Sequence, residues 1–246
     1  AGANEILQTD RDRGLPTALA LVEQQHPDIE RAVAQLAHVS APVHAGEPAQ
    51  VDIAIDLGDG RRLNGAVPGV HGSTIARTFY SRLAPKHRIA AWVSLLAVAV
   101  ARPDEPWQAI STGRGQFGRP TWRSTLTMPA DPLAELRSLV DLRDRGLSEP
   151  LPVAPSASSL YADRRERGVG IDDAFATAEK DWSGKFGDST DRHLIFAFGA
   201  GLPLSRLGSG APLGDEAAWS DEASRFGVYA RRLWAGLLSA ETVGQP

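Results

Sequence analysis

Val51-Asp52-Ile53-Ala54-Ile55-Asp56-Leu57 alternates apolar and polar side chains. A period of two places every second residue on one face, so this stretch reads as a strand with one dry and one wet side. Gly58-Asp59-Gly60 follows as a tight turn. Arg62 to Val67 reads as the returning strand, ended by Pro68-Gly69. Gly72-Ser73 makes a second turn, and Thr74 to Tyr80 a third strand. Pro85 then stands before a helix over Lys86–Arg102. Trp92, Leu95, Leu96 and Val98 to Val100 make that helix apolar nearly all round and therefore central. Trp107 to Thr112 reads as a fourth strand. The order is a three-strand meander, a crossover helix and a further strand, which predicts an α/β (α+β) fold with a mixed sheet flanked by helices.

Upstream, Pro16–Val39 carries a rough helical stripe through Leu19, Val22, Ile29, Val33 and Leu36, with a break forced at Pro27. Residues 1–14 read as a cut linker. Downstream, Thr121–Thr127 is strand-like. Asp131-Pro132 supplies an N-cap followed by proline at N1 for a helix that Gly146 stops. Glu149–Pro155 reads as stiff and extended. Further helices are expected from Ser156 or Ser158 to Arg167, over Ile171–Trp182 and over Asp215–Ala240. His193–Phe198 reads as a short strand and Gly199–Gly214 as loop. The domain reading is a single unit over 15–246, with its sheet core in 49–130 and a helical part in 131–240.

The chain has 246 residues, 42% of them hydrophobic and 23% charged, enough to bury a core without covalent staples. It has no Cys, which removes disulfide scaffolds, cysteine zinc sites and thiol nucleophiles. The longest apolar run, Ile89–Ala101, is shorter than a membrane span, and no signal peptide opens the chain. The expected location is cytoplasmic.

Net charge is −4, but the distribution is uneven. Gly60–Pro103 holds no Asp or Glu and seven Lys or Arg. Gly60–Ala130 holds ten basic residues against two acids, a balance of +8 that leaves −12 for the remainder. Such a segment can hold a phosphate backbone even in an acidic chain.

Gly113-Arg114-Gly115-Gln116-Phe117-Gly118 matches G-x-G-x-x-G. A dinucleotide site requires a helix after the glycines, and here Arg119-Pro120 and a strand-like segment follow. The motif reads as a glycine-rich hairpin or loop. Its second reading is a basic loop in which Arg114, Arg119 and Arg123 touch phosphate between Phe117 and Trp122. The six His residues show no metal-ligand spacing, and neither a G-x-S-x-G elbow nor a Walker loop is present. No cofactor is expected.

Helix, three strands, helix, strand is the core order of the PD-(D/E)xK nucleases, whose second and third strands carry the carboxylates and lysine of a Mg²⁺ site. Here the second strand reads Leu63-Asn64-Gly65-Ala66-Val67-Pro68-Gly69-Val70-His71, and the third Thr74-Ile75-Ala76-Arg77-Thr78-Phe79-Tyr80-Ser81. Neither has an Asp, a Glu or a Lys, so the nuclease site of such a fold would be dead. What remains is a basic surface, with Arg77, Arg82, Lys86 and Arg88 as candidate DNA contacts.

Three segments carry a family resemblance: the strand pair 51–56 with 63–68; Lys86-His87-Arg88-Ile89-Ala90-Ala91-Trp92-Val93-Ser94-Leu95-Leu96; and Leu139-Val140-Asp141-Leu142-Arg143-Asp144-Arg145-Gly146-Leu147-Ser148-Glu149-Pro150-Leu151-Pro152. They resemble the RecC C-terminal domain family in its actinobacterial form, RecC being the gamma subunit of exodeoxyribonuclease V (RecBCD). The likeness runs loosely from about residue 15 to the helix of Arg231-Arg232-Leu233-Trp234. The resemblance implies a restriction-endonuclease-like core without its catalytic site. It implies a place where duplex DNA enters and its strands are split, and docking to RecB- and RecD-like helicase subunits in DNA repair and recombination. It implies no catalysis by this part itself. The Trp107–Thr127 segment and the Gly199–Gly214 loop are the candidates for the strand-splitting pin. Two alternatives remain: a scaffold that binds only protein, and an active Mg²⁺ nuclease with displaced acids at Glu47, Asp52 and Asp56.

Overall fold

A computed structural model describes residues 27–58, 60–115 and 120–246. The 1–14 linker and the 16–26 part of the first expected helix lie outside the described residues. The described helix α1 is Pro27–Ser40.

The meander forms as its patterning requires. β1 (Ala49–Asp56) buries Val51, Ile53 and Ile55 and exposes the residues between them. β2 (Arg62–His71) pairs with it antiparallel. The sequence ends this strand at Pro68-Gly69, yet it runs on to His71. Between Val67 and Val70 β2 holds one residue more than the facing stretch of β1, and Gly69 has φ of 71°. A bulge absorbs the proline, which has no N–H for the ladder, and the strand resumes beyond it. β3 (Thr74–Arg82) turns back at Gly72 and pairs with β2 only through Val70–Ile75 and His71–Thr74. Beyond those rungs the two strands part.

Helix α2 (Pro85–Ala101) crosses back over the sheet, burying Trp92, Leu95, Leu96 and Val98. It delivers β4 (Gln108–Arg114) parallel to β3. β5 (Thr121–Thr127) returns antiparallel, and Gly115 N–H donates to the Pro120 carbonyl at 3.2 Å, so β4 and β5 pair as a hairpin, while 116–119 of the G-x-G-x-x-G segment lie outside the described residues. The described chain resumes as a strand and not as a helix, in keeping with the hairpin reading of this motif. Gly113 has a different task. β3 bulges between Thr78 and Arg82, and a Cβ on Gly113 would stand 2.9 Å from both the Leu83 nitrogen and the Ser81 carbonyl. Gly113→Ala is expected to destabilise the chain by about 1–3 kcal/mol, because two backbones must separate to admit the methyl. A denaturant midpoint equal to that of the parent chain would contradict this.

Among the described residues the sheet has six strands in the order β1-β2-β3-β4-β5-β6, mixed, with β3 and β4 its parallel pair. β6 (Glu241–Gly244) comes from the C-terminus, so the sheet is not confined to 49–130. α2 covers one face, and α1 lies against β3 and β4 on the other.

Helix α3 (Pro132–Ser148) starts as read, with Asp131 accepting from Ala134 N–H at 2.9 Å, and passes through Gly146 for two more residues. α4 (Pro155–Glu166) begins at the proline rather than at a capping serine. Its cap comes from far away: Asp188 Oδ2 accepts from Ser156 and Ala157 N–H at 2.8 and 2.9 Å. α5 (Ile171–Trp182) stands where the pattern put it. His193–Phe198 is not a strand but helix α6 (Arg192–Phe198), which Asp191 caps through His193 and Leu194 N–H. A capped start outweighs the strand propensity of a short apolar run. The expected loop 199–214 contains α7 (Leu204–Leu207), whose two leucines are buried.

The last expected helix is in fact two pieces. A 3-10 turn over Gly214–Ala218 is separated from α8 (Arg225–Ala240), which Ser224 caps. Buried acids hold this interruption. Glu216 accepts from Arg225, Tyr229 and Leu213, while Glu222 accepts from Arg165 and Tyr161. Arg165 is therefore sequestered, its guanidinium bonded to the buried Glu222 carboxylate. α8 joins two apolar cores. Trp234 and Leu237 pack under the sheet, while Phe226 and Ala230 pack between α4, α5 and α7.

Candidate nucleic-acid interface

The carboxyl ends of β3 and β4 and the first turn of α2 gather the basic residues. Arg82 and Arg114 stand opposite each other in the β3–β4 register, and Lys86 follows four residues beyond Arg82. Arg82 and Lys86 are exposed. Among the described residues neither has an ion-pair or hydrogen-bond partner. The guanidinium of Arg114 lies over the Tyr80 ring, 4.6 Å from its centroid, and Nη1 reaches the Tyr80 hydroxyl at 3.5 Å. Tyr80 itself is exposed. The result is a cationic cluster with an aromatic beside it, and like charges this close favour an anionic partner.

The other sequence candidates are placed differently. Arg88 is held inside the protein: Nε donates to both Glu241 oxygens at 2.8 and 3.0 Å, Nη2 pairs with the same carboxylate, and Nη1 donates to Ser159 Oγ at 3.1 Å. It also lies over Trp234. Arg123 donates to the Val39 carbonyl at 2.6 Å, fastening the end of α1 to the sheet. Arg77 donates to Ser94 Oγ at 2.8 Å across to α2. Burial holds both guanidinium groups somewhat below their ordinary pKa. Arg119 lies outside the described residues.

His87 organises the start of α2. Its Nδ1 accepts from Ala84 N–H at 3.0 Å, the half of a capping box in which the N3 side chain reaches back to the N-cap amide. Its ring stacks on Phe79 at 4.1 Å. Burial and, secondarily, the Lys86 charge lower its pKa, which keeps Nδ1 available as an acceptor.

The displaced acids do not converge. Asp52 accepts from Gln50 and Asp56 from Gly58 N–H, both on the wet side of β1, and Glu47 is exposed in the preceding loop. Among the described residues no three His, Asp or Glu side chains are grouped to hold a metal ion, and no helix is long and apolar enough to cross a membrane. Sequence reading did not find the carboxylates that shape this end of the molecule, Glu241, Asp163 and Asp181. They come from segments remote in sequence and form no motif with the basic strands.

The RecC C-terminal domain family matches residues 3–166. The chain is 37% identical over 213 residues to RecBCD enzyme subunit RecC of Mycobacterium tuberculosis (strain ATCC 25618 / H37Rv), covering 85% of this chain and 18% of that protein. It is 36% identical over 190 residues to the RecBCD enzyme subunit RecC of Mycolicibacterium smegmatis, covering 77% of this chain and 17% of that protein. The chain thus spans under a fifth of the relatives it matches. With a family match over most of its length and relatives at this identity, the chain belongs to the RecC C-terminal domain family.

Proposed function

We propose that this chain is a non-catalytic DNA-contacting and subunit-docking domain of a RecBCD-type helicase–nuclease, acting in DNA repair and recombination in the cytoplasm. The observation that carries the reading is the pairing of a dead site with a live charge. β2 and β3 lack every Asp, Glu and Lys, while Arg82, Lys86 and Arg114 form an accessible cationic cluster where β3 ends. Helix, three antiparallel strands, crossover helix and a strand parallel to the third support a nuclease-like PD-(D/E)xK ancestry for the sheet. The relatives' name, RecBCD enzyme subunit, supports RecB- and RecD-like partners. Phe186 and Phe196, 88% and 94% exposed, are the kind of side chain a partner subunit covers. One domain over 15–246 fits the way α8 contributes to both cores.

Anisotropy titration of fluorescent blunt and forked duplexes, with Mg²⁺ present, tests the reading. Binding that weakens steeply with salt and leaves the DNA intact is expected. Arg82→Glu with Lys86→Glu should weaken it about tenfold or more and lower the salt slope by about two, one for each lost phosphate contact. Mg²⁺-dependent cleavage would revive the nuclease alternative. Affinity indifferent to the double charge reversal would favour a scaffold that meets only protein.

A further inference from the structure

Among the described residues, β1 ends the sheet on the side opposite β6, so one of its edges has no neighbouring strand. Leu57 N–H donates to the Arg61 carbonyl at 2.9 Å, and this fixes the alternation of the β1–β2 ladder. Val51, Ile53 and Ile55 turn their backbone groups toward β2, while Asp52, Ala54 and Asp56 turn theirs outward. Among the described residues no backbone N–H or carbonyl of those three is hydrogen-bonded. All three residues are exposed. Over Val51–Asp56 the ladder runs without a bulge, and β1 holds neither proline nor lysine. The devices that commonly close a sheet edge to a new strand are therefore missing from this one.

The side chains select the strand that can add here. Asp52 and Asp56 share the wet face of β1, one on each side of Ala54. Asp52 accepts from Gln50 and Asp56 from Gly58 N–H, and among the described residues neither carboxylate has a cation beside it. A second copy of the chain, in the register that pairs residues 52–56 fully, would set Asp52 opposite Asp56 twice. Like charges directly opposite each other repel, so self-pairing in that register is disfavoured. DNA, an anion, is repelled by the same carboxylates.

A strand with Lys or Arg at two positions four apart meets both acids. Its residues on either side of the central one fall on the opposite face, which α2 covers, and apolar side chains there extend the core layer. We propose that the outer edge of β1 docks an extended segment of a partner protein with the pattern basic, apolar, any residue, apolar, basic, which adds to the sheet as a further strand. Backbone bonds to Asp52, Ala54 and Asp56 supply the attachment, and the two carboxylates supply the selection. This docking goes beyond the DNA-contacting reading and does not depend on it.

The probe is the end-blocked peptide Gly-Val-Lys-Val-Thr-Val-Lys-Val-Gly, titrated against the full chain by NMR with hydrogen exchange. The amides of Asp52, Ala54 and Asp56 are expected to exchange fast in the chain alone and to be protected with peptide bound. Replacing both peptide lysines by Glu should weaken binding about tenfold or more, since two attractive pairs become repulsive. Asp52→Lys with Asp56→Lys should reverse that preference, so that the Glu peptide binds and the Lys peptide does not. Both acids lie on the wet face, and a thermal melt checks that this variant folds; if it does not, the peptide variants decide alone. Methylating the central Thr nitrogen keeps every charge but removes the donor to the Ala54 carbonyl, and it should abolish binding. Methylating a neighbouring Val nitrogen, which points away from β1, should leave binding intact. Binding that survives the Thr methylation would be mere attraction of charges and would overturn the proposal. Amides of 52, 54 and 56 already protected in the chain alone would overturn it too, because the edge would then be occupied. No binding of the Lys peptide at millimolar concentration sinks it.

Discussion

Glu241→Ala is expected to cost about 3–5 kcal/mol of folding stability, because it leaves a buried arginine without its counter-ion. Glu241 is the first residue of β6, and its side chain is almost wholly buried. Arg88 grips both carboxylate oxygens, and Ser124 Oγ donates to Oε1 at 2.5 Å. The pair joins the first turn of α2 to the edge strand and to β5, three segments with 153 residues between the two charges. Truncation removes the anion but not the cation, which also lies against Trp234. Urea unfolding should show the loss, and backbone amides of residues 241–244 should lose hydrogen-exchange protection first. Replacing both partners, Arg88→Met with Glu241→Leu, is expected to recover much of the stability, since no charge then stays buried. A single-variant loss under 1 kcal/mol would mean that water reaches Arg88 and that the strand is held by its ladder alone.

Glu216→Ala should be comparably damaging, at about 3–5 kcal/mol, and it has a signature in pH. The Glu216 carboxylate accepts four hydrogen bonds: from Arg225 Nη2 at 2.6 Å, and from Arg225 Nε, Leu213 N–H and Tyr229 hydroxyl at 2.8 Å each. Burial alone would raise its pKa, but these donors and the Arg225 charge outweigh burial and hold it at about 2, below the ordinary 4.5. The folded state thus prefers the anion more than the unfolded chain does. This contribution is complete above pH 4.5, and it is lost as pH falls toward 2. Asp181 and Asp188 act in the opposite direction, because burial raises their pKa values and protonation relieves them. The parent chain's acid limb is therefore a sum of opposed effects. The difference between parent and Glu216→Gln isolates the carboxylate, and it should narrow as pH drops through that window. A difference constant with pH would show that Glu216 is not held as an anion.

The meander was legible because its signals are local. Alternation over 51–57, glycines at the turns and an apolar helix behind Pro85 each follow from a few neighbouring residues, and the resulting strand order was correct. The missing carboxylates of β2 and β3 were equally plain, since an absence within a short strand needs no tertiary information. The errors lie where local preference met a distant partner. The strand read at His193–Phe198 became a helix once Asp191 capped it. The helix read through 215–240 broke because Glu216 and Glu222 turn inward to Arg225 and Arg165. Gly113, read as part of a glycine-rich hairpin or loop, also serves a backbone crossing that only the β3 bulge creates.

Composition and patterning by themselves determined the mixed fold, the lack of any Asp, Glu or Lys in the second and third strands and the basic middle of the chain. Seven candidate cations followed from that charge, and one of them, Arg119, lies outside the described residues. Tertiary structure alone decided how the other six are disposed. Arg88 is bound to Glu241, and Arg123 and Arg77 to neighbouring helices, while Arg82, Lys86 and Arg114 stand together where β3 ends. A charge is written in the sequence, but its availability depends on whether a counter-charge remote in the chain folds back beside it, and that is a property of packing.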